Sequence, residues 1–155
     1  MYPDLNLPAA SLKLVKEQDQ VFVFDIIRKK NIVLTPEEWV RQHFIHFLVE
    51  HRAFPRSLFR VETGLQYDRL NKRSDIQVYN REGRIFMLVE CKACTVPLNE
   101  QVLKQAAVYN KTLDAEWLVI TNGLLHYAFQ KVGTGDAVRY EKRAEIPTYS
   151  GTSPG

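Results

Sequence analysis

Apolar residues along the chain follow two different periods, which predict an alternation of strands and helices. Residues 11–34 are predicted to be extended, because Val21–Ile27 and Ile32–Leu34 are rich in β-branched and aromatic side chains. The polar run Arg28–Asn31 separates these two segments and is typical of a turn. The pattern therefore predicts a β-hairpin in the N-terminal part of the chain.

The first helix is predicted to begin after Thr35 and to end near His51. Threonine is a good helix cap, proline suits the first turn, and two acidic residues complement the positive end of the helix dipole. These signals coincide at Thr35-Pro36-Glu37-Glu38. Apolar residues then recur at helical spacing, at Trp39, Val40, Phe44, Phe47 and Leu48.

The later segments predict strands on either side of a second helix. Strands are expected at residues 58–62, 74–79, 84–92, 116–121 and 124–132, and a helix at residues 100–113. The order after residue 35 is thus α-β-β-β-α-β with one further strand, which predicts an α/β (α+β) fold with a mixed central sheet flanked by helices. We expect an N-terminal β extension at residues 1–34, a core at 35–132, and a C-terminal extension at 133–155 that frays from about Ile146.

Composition restricts the class of protein. The 155 residues are 45% hydrophobic and 25% charged, as in one soluble globular domain. No stretch is apolar for long enough to span a bilayer, and the first residues do not resemble a signal peptide, so no membrane association and a cytoplasmic location are expected. Neither a GxxxxGK[ST] loop nor a GxGxxG motif is present. The net charge of +3 permits a polyanionic partner without requiring one.

Two cysteines, Cys91 and Cys94, form a single C-x-x-C. Three interpretations are open: a redox pair, half of a zinc site, or two incidental thiols in a reducing compartment. No second cysteine pair accompanies them, and they follow a strand rather than open a helix. The incidental interpretation is therefore favoured.

The most informative feature is a pair of charged residues at the end of an apolar strand. Glu90 and Lys92 fall on one face of that strand and Cys91 on the other, because side chains alternate. A charge at such a place is costly unless it is paired or used in function.

A second acid, Asp75, is expected to approach Glu90 from the neighbouring strand. A turn centred between Arg81 and Glu82 would pair Asn80 with Gly83 and place Asp75 opposite Leu88. Glu90 would then be a diagonal neighbour of Asp75, roughly 7–8 Å away. A register slip of one residue would send Asp75 to the other face.

Two carboxylates and an ammonium group in this arrangement suit phosphodiester cleavage. The carboxylates can hold one hard divalent cation, which neutralises phosphate charge and activates a bound water. Lys92 can position or deprotonate that water and stabilise the developing charge.

These residues resemble the D…(D/E)xK pattern of the PD-(D/E)xK nuclease superfamily. Asp75 is followed by fourteen residues and then by Glu90-Cys91-Lys92, although Ser74 stands where the superfamily has a proline. The α-β-β-β-α-β order is that of the restriction-endonuclease-like core. Gln105-x-x-x-Tyr109 resembles the QxxxY motif of several of these nucleases, and Glu38 resembles the acid that the first helix often adds to the metal site, with Glu37 as the alternative.

In particular, the chain resembles the N-terminal nuclease domain of type I restriction enzyme R subunits. The likeness covers residues 35–129 and rests on TPEEWVRQHF, RSDIQVYNREGR, MLVECKA, QAAVYN and WLVITNG. It implies a Mg²⁺-dependent DNA nuclease, with Mn²⁺ as a substitute. Four groups would hold the metal: Asp75, Glu90, Glu38 and the Cys91 carbonyl.

The resemblance also implies that Lys92 serves the attacking water, while Gln105 and Tyr109 orient the site or the DNA strand. In such enzymes the domain precedes a motor, so separate motor or specificity subunits are expected partners. The alternative is a non-cleaving nucleic-acid-binding or assembly module of the same fold that needs a partner subunit. Acids at the centre of such a site would offset basic residues in the net charge.

Overall fold

The computed structural model describes residues 2–61 and 76–150, apart from the side chains of residues 109–113. Within these ranges every predicted helix and strand is present, with ends that differ from the prediction by two residues at most. The strands are β1 (Leu14–Glu17), β2 (Gln20–Asp25), β3 (Lys30–Val33), β4 (Phe59–Val61), β5 (Ile76–Tyr79), β6 (Ile85–Cys91), β7 (Trp117–Thr121), β8 (His126–Val132) and β9 (Arg139–Arg143). The helices are α1 (Pro36–His51) and α2 (Glu100–Leu113). Neither of these helices could span a membrane.

The first helix has the predicted N-terminus. Thr35 has an extended backbone, and its Oγ1 accepts a hydrogen bond from the Glu38 N–H at 3.0 Å. This bond satisfies one of the amide groups that the first turn of a helix leaves without a partner. Farther along α1, Val40, Phe44 and Leu48 are fully buried, so the predicted apolar stripe is the face that packs on the sheet.

The N-terminal strands form an antiparallel sheet in the order β1-β2-β3. The predicted hairpin is confirmed, with Phe22 paired to Val33, but the turn occupies residues 26–29 rather than 28–31. Asp25 explains the difference, because its Oδ1 accepts hydrogen bonds from the Ile27 and Arg28 N–H groups, each at 2.8 Å. A side chain bonded in this way to the following amides starts a turn despite the β propensity of the isoleucines.

The main sheet has six strands in the order β4-β5-β6-β7-β8-β9. All neighbours are antiparallel except β6 and β7, which are parallel. Parallel neighbours need a long crossover connection, and α2 lies in the connection between these two strands. Because β6 and β7 run in the same direction, their carboxyl ends meet at one edge of the sheet.

Each face of the sheet is covered by one helix. Odd-numbered residues of β6, Met87, Val89 and Cys91, pack with α1 in the larger core. Leu88, on the other face, packs in a second core with Leu118 and Ile120 of β7 and with Ala106 of α2. The protein is therefore a mixed α/β structure, in which Leu88 of β6, and Glu90 two residues later, lie on the face that carries α2.

The C-terminal part contributes an edge strand that the sequence did not predict. β9 pairs with β8 and lies inside the segment interpreted as a C-terminal extension. Ile146, where fraying was expected to begin, accepts a hydrogen bond from Arg52 Nε at 2.9 Å, and the Tyr149 N–H donates to the Arg52 carbonyl at 2.8 Å. These contacts join residues 146–149, within the segment where fraying was expected, to the end of α1.

Candidate functional site

Glu90 and Lys92 lie at the carboxyl end of β6, on the face that carries α2. Their charged groups form an ion pair, with 3.2 Å between Lys92 Nζ and Glu90 Oε2. The side chains are 12% and 26% exposed, so the pair is partly buried and still reaches solvent. The Lys92 N–H donates to the Thr121 carbonyl at 2.8 Å and fixes its backbone against β7. The ion pair places both side chains on one face of the strand, as the alternation predicted.

The predicted register between β5 and β6 is wrong at its start. The turn is one residue longer than expected, because the Asn80 N–H donates to the Arg84 carbonyl at 2.8 Å and Gly83, with φ of +82°, completes the loop. Gly83 tolerates this positive φ because it has no Cβ. Asn80 is therefore aligned with Arg84, not with Gly83.

A second irregularity follows at once in β6. Tyr79 pairs with Ile85 while Val78 pairs with Met87, so Phe86 is an extra, bulged residue. The longer turn and the bulge together shift the register by two residues. Because side chains alternate with a period of two, each residue of β5 still shares a face of the sheet with the predicted residues of β6. Gln77 now lies opposite Leu88 and shares its face with Glu90.

Asp75, the other predicted metal ligand, lies outside the described residues. Its chain neighbour Ile76 pairs with Val89, the residue before Glu90. The catalytic and metal-binding roles of Asp75 and Glu90 therefore remain predictions.

The loops around the carboxyl ends of β6 and β7 are joined by Asn122. Its Nδ2 donates to the Val96 carbonyl at 2.8 Å, and its Oδ1 accepts from the Leu124 and Leu125 N–H groups at 3.0 and 2.9 Å. Asn122 is almost fully buried. The segment that follows Lys92 is thus held to the β7–β8 turn, which makes this edge a firm support for the ion pair.

The second helix begins where the sequence predicted. Asn99 Oδ1 accepts a hydrogen bond from the Val102 N–H at 3.0 Å and caps the helix. Gln105 is exposed, beside the buried Ala106. Tyr109 lies one turn farther along α2, and its side chain is outside the described part. The orienting roles of Gln105 and Tyr109 are not tested by these positions.

Glu38 lies in a buried charge network at the start of α1. Its Oε2 accepts from Arg28 Nη2 at 3.0 Å and from Gln42 Nε2 at 2.8 Å, and its Oε1 accepts from Arg41. The neighbouring Glu37, the alternative acid, pairs with the same Arg41 at 2.7 Å. Glu38 belongs to α1, which packs on the face opposite Leu88, and these contacts do not test its predicted role as a metal ligand.

Asp25 completes that network, and sequence reasoning did not single it out. It is fully buried and accepts from Arg28 Nε and Gln42 Nε2, each at 2.8 Å. Burial raises the pKa of Asp25, but hydrogen bonds from the Arg28 amide and Gln42, together with the Arg28 charge, outweigh burial and lower the pKa below its usual value. The only signal in the sequence was an acid placed between the apolar Phe24 and Ile26.

A second polar contact, around His126, supports the edge of the sheet near the site. His126 Nδ1 lies 2.7 Å from Thr121 Oγ1, and His126 Nε2 lies 2.8 Å from the Asn6 carbonyl. Burial lowers the pKa of His126, although the hydrogen bond to the Asn6 backbone acts in the opposite direction. A neutral imidazole ring is therefore favoured. Its Nε2 donates a hydrogen bond to the Asn6 carbonyl, and its Nδ1 accepts one from the Thr121 hydroxyl.

Within residues 2–61 and 76–150, no three His, Cys, Asp or Glu side chains are close enough to form a metal site. The described part supplies the Glu90 carboxylate and the Cys91 backbone, and the second predicted carboxylate, Asp75, lies outside it. Cys91 and Cys94 are not joined in a disulfide, and Cys91 is buried in the α1 core. Glu90 and backbone oxygens are the hard ligands that Mg²⁺ and Mn²⁺ accept, so the donor chemistry is suitable.

A cavity of about 590 Å³ lies at the other end of β6 and β7. Its walls include Phe86, Trp117 and Tyr149, together with Arg81 and Lys131. Neither Glu90 nor Lys92 lines it. The candidate site is therefore an open edge of the sheet rather than this cavity.

Comparison with protein families matches residues 36–147 to the type I restriction enzyme R protein N terminus. The matched region begins with α1, contains the Glu90–Lys92 pair and ends after β9. Comparisons with curated proteins and with solved structures gave no match. Since the match covers most of the chain, this protein belongs to the family of type I restriction enzyme R protein N-terminal domains.

Proposed function

We propose that this chain is a metal-dependent DNA nuclease domain with a restriction-endonuclease-like core of the order α-β-β-β-α-β. The observation that carries the proposal is the Glu90–Lys92 ion pair at the carboxyl end of β6. In a restriction enzyme family, a carboxylate and an ammonium group at a solvent-accessible strand end suit phosphodiester hydrolysis.

Lys92 is the residue best placed to act on water. Its Nζ is oriented by Glu90 at 3.2 Å, and a quarter of its side chain remains exposed, so it can also reach a bound phosphate or water. An ammonium group there would orient the attacking water and stabilise negative charge that develops on the phosphate. The backbone bond to Thr121 keeps this reach fixed.

Asp75, Glu90 and the Cys91 carbonyl would hold Mg²⁺, or Mn²⁺ in its place. The bound metal would supply neutralisation of phosphate charge and a lowered pKa for a coordinated water. Asp75 is included because Ile76, next to it in the chain, pairs with Val89, next to Glu90.

For Glu38 the contacts support a different role from the predicted one. Both of its oxygens accept hydrogen bonds from Arg28, Arg41 and Gln42, so we propose that it fixes α1 to the N-terminal hairpin. Gln105 and Tyr109 of α2 are proposed to orient the DNA strand.

The family name describes one part of a restriction enzyme protein, which supports DNA as the substrate and further subunits as partners. A motor or specificity subunit would bring DNA to the domain. We therefore expect intrinsic cleavage to be non-specific in sequence.

The test is nicking of supercoiled plasmid by the purified chain with Mg²⁺, with Mn²⁺ and with a chelator. Lys92→Ala and Asp75→Ala are expected to lower the nicking rate at least about 100-fold, the usual scale for loss of a positioned acid–base group. Lys131→Ala is the matched control, because Lys131 forms a comparable ion pair with Asp114 at 3.0 Å, away from the site. Circular dichroism checks that each variant is folded.

Unchanged nicking by Lys92→Ala would overturn the proposal. If the unaltered chain never nicks plasmid but shifts DNA in a gel with the metal chelated, the alternative of a non-cleaving binding module is correct. Metal-dependent nicking that the Lys131 variant retains and the Lys92 variant loses would support the nuclease.

A further inference from the structure

Arg60 lies on the same face of the sheet as the Glu90–Lys92 pair. In the register, Arg60 is opposite Gln77, and Gln77 is opposite Leu88, two residues before Glu90. Directly paired residues share a face. Two strand spacings and a two-residue rise separate the Cα atoms of Arg60 and Glu90 by ~12 Å.

Among the described residues, the contact of the Arg60 guanidinium group is an aromatic ring. Its Cζ lies 5.6 Å from the centroid of the Tyr79 ring. The Tyr79 hydroxyl donates to Gln77 Oε1 at 3.0 Å, which fixes the ring below the cation. Stacking on a ring leaves the donors at the edge of a guanidinium group available for another acceptor.

Arg60 is exposed, and no acid among the described residues neutralises it. Other arginines in the same ranges, such as Arg28, Arg41 and Arg143, form ion pairs with carboxylates. An exposed, oriented cation with no carboxylate partner within residues 2–61 and 76–150 is an attractive contact for an anion. Its location on the Glu90–Lys92 face makes an anion extending from that pair the natural candidate.

We propose that Arg60 binds a backbone phosphate of the DNA strand that occupies the Glu90–Lys92 site. This inference rests on the proposed function, because DNA is taken as the substrate. A separation of ~12 Å lies within a few nucleotides of one strand, whose rise along the duplex axis is about 3.4 Å per nucleotide. Arg60 would position the strand without reading its sequence, as phosphate contacts do.

The experiment measures binding and not cleavage. A fluorescent duplex oligonucleotide is titrated with the full chain in a chelator, and anisotropy gives Kd over a series of salt concentrations. Loss of one phosphate contact in Arg60→Gln should weaken binding about eightfold near 0.1 M salt and reduce the slope of log Kd against log salt by about 0.9. Arg60→Lys, which keeps the charge, should recover most of the affinity.

Arg84→Gln is the matched control, since Arg84 is also exposed but lies at the opposite end of β6. It should bind DNA like the unaltered chain. Equal affinities for the unaltered chain and Arg60→Gln would overturn the inference, as would an equal loss in the Arg84 variant or no duplex binding by the unaltered chain.

These results are distinguishable from failure of the nuclease proposal. If the unaltered chain binds DNA, loses affinity in Arg60→Gln and never nicks plasmid, the Arg60 contact stands and the nuclease proposal fails. If it nicks plasmid and Arg60→Gln binds normally, the nuclease proposal stands and the Arg60 contact fails.

Discussion

Removal of the buried Asp25 carboxylate should test whether the charge network joins the N-terminal hairpin to α1. Asp25 is fully buried and accepts from two backbone amides, from Arg28 and from Gln42. Arg28 also pairs with Glu38. In Asp25→Ala the two backbone amides and Arg28 Nε lose this acceptor, while Glu38 remains an acceptor for Arg28 Nη2 and Gln42 Nε2.

The expected destabilisation is about 3–5 kcal/mol, the usual result of removing one partner from a buried ion pair. Individual hydrogen bonds to a charged group contribute about 1.5–3 kcal/mol, and several are lost together without being additive. Asp25→Asn keeps the shape and loses the charge, so it should cost less, about 1–3 kcal/mol. Both losses are a large fraction of the free energy of unfolding of a typical domain, which is about 5–15 kcal/mol.

Equilibrium unfolding in urea measures the effect. With a slope of about 2 kcal/mol per molar urea, Asp25→Ala should lower the midpoint by about 2 M. Asp114→Ala is the control, because Asp114 pairs with Lys131 but is 72% exposed, and exposed pairs contribute about 0–1 kcal/mol. If the Asp25 variant is no less stable than the Asp114 variant, the buried network is not what joins the hairpin to the helix.

Two further changes test the edge near the site. Gly123 has φ of +87°, and a Cβ there would lie 2.8 Å from Leu5 Cδ2, so Gly123→Ala should destabilise by more than the about 1–2 kcal/mol of left-handed strain alone. Gly83→Ala, with φ of +82° and no atom within 4 Å, measures that strain in the same urea assay, and equal losses would contradict the packing argument. His126 has a lowered pKa, so the unfolded chain binds more protons than the folded one below pH about 6.5, and stability should fall as pH decreases through this range. Thermal unfolding at several pH values should show a weaker dependence for His126→Gln, and identical dependence would refute this assignment.

The helices could be predicted from local sequence. The Thr35 cap, the proline at the first position and the 3.6-residue apolar stripe of α1 all act within one or two turns, and the structure has α1 at the predicted residues. The same is true of α2 with its Asn99 cap. Alternation along β6 also gave the shared face of Glu90 and Lys92.

The register of β5 and β6 could not be predicted from local pattern. It depends on a three-residue turn and on the bulge at Phe86, and each shifts the pairing by one residue. Phe86 and Met87 both pack toward the α1 core, so burial against the opposite layer decides where the extra residue lies. Because two shifts of one residue restore the original faces, the polar side chains of β5 and β6 meet as expected although their partners differ.

The sequence by itself determined the helices, most of the strands and the face of the Glu90–Lys92 pair, because capping, period and alternation act between near neighbours. Only the tertiary structure decided the partners of Asp25, Glu38 and Arg60. Ion pairs and ring contacts form between elements that are distant in the chain, as in the Arg28–Glu38 bridge and the Arg60–Tyr79 stack. The fold thereby placed Glu38 in contact with Arg28, Arg41 and Gln42, and it placed Arg60, which no motif marked, on the face of the candidate site.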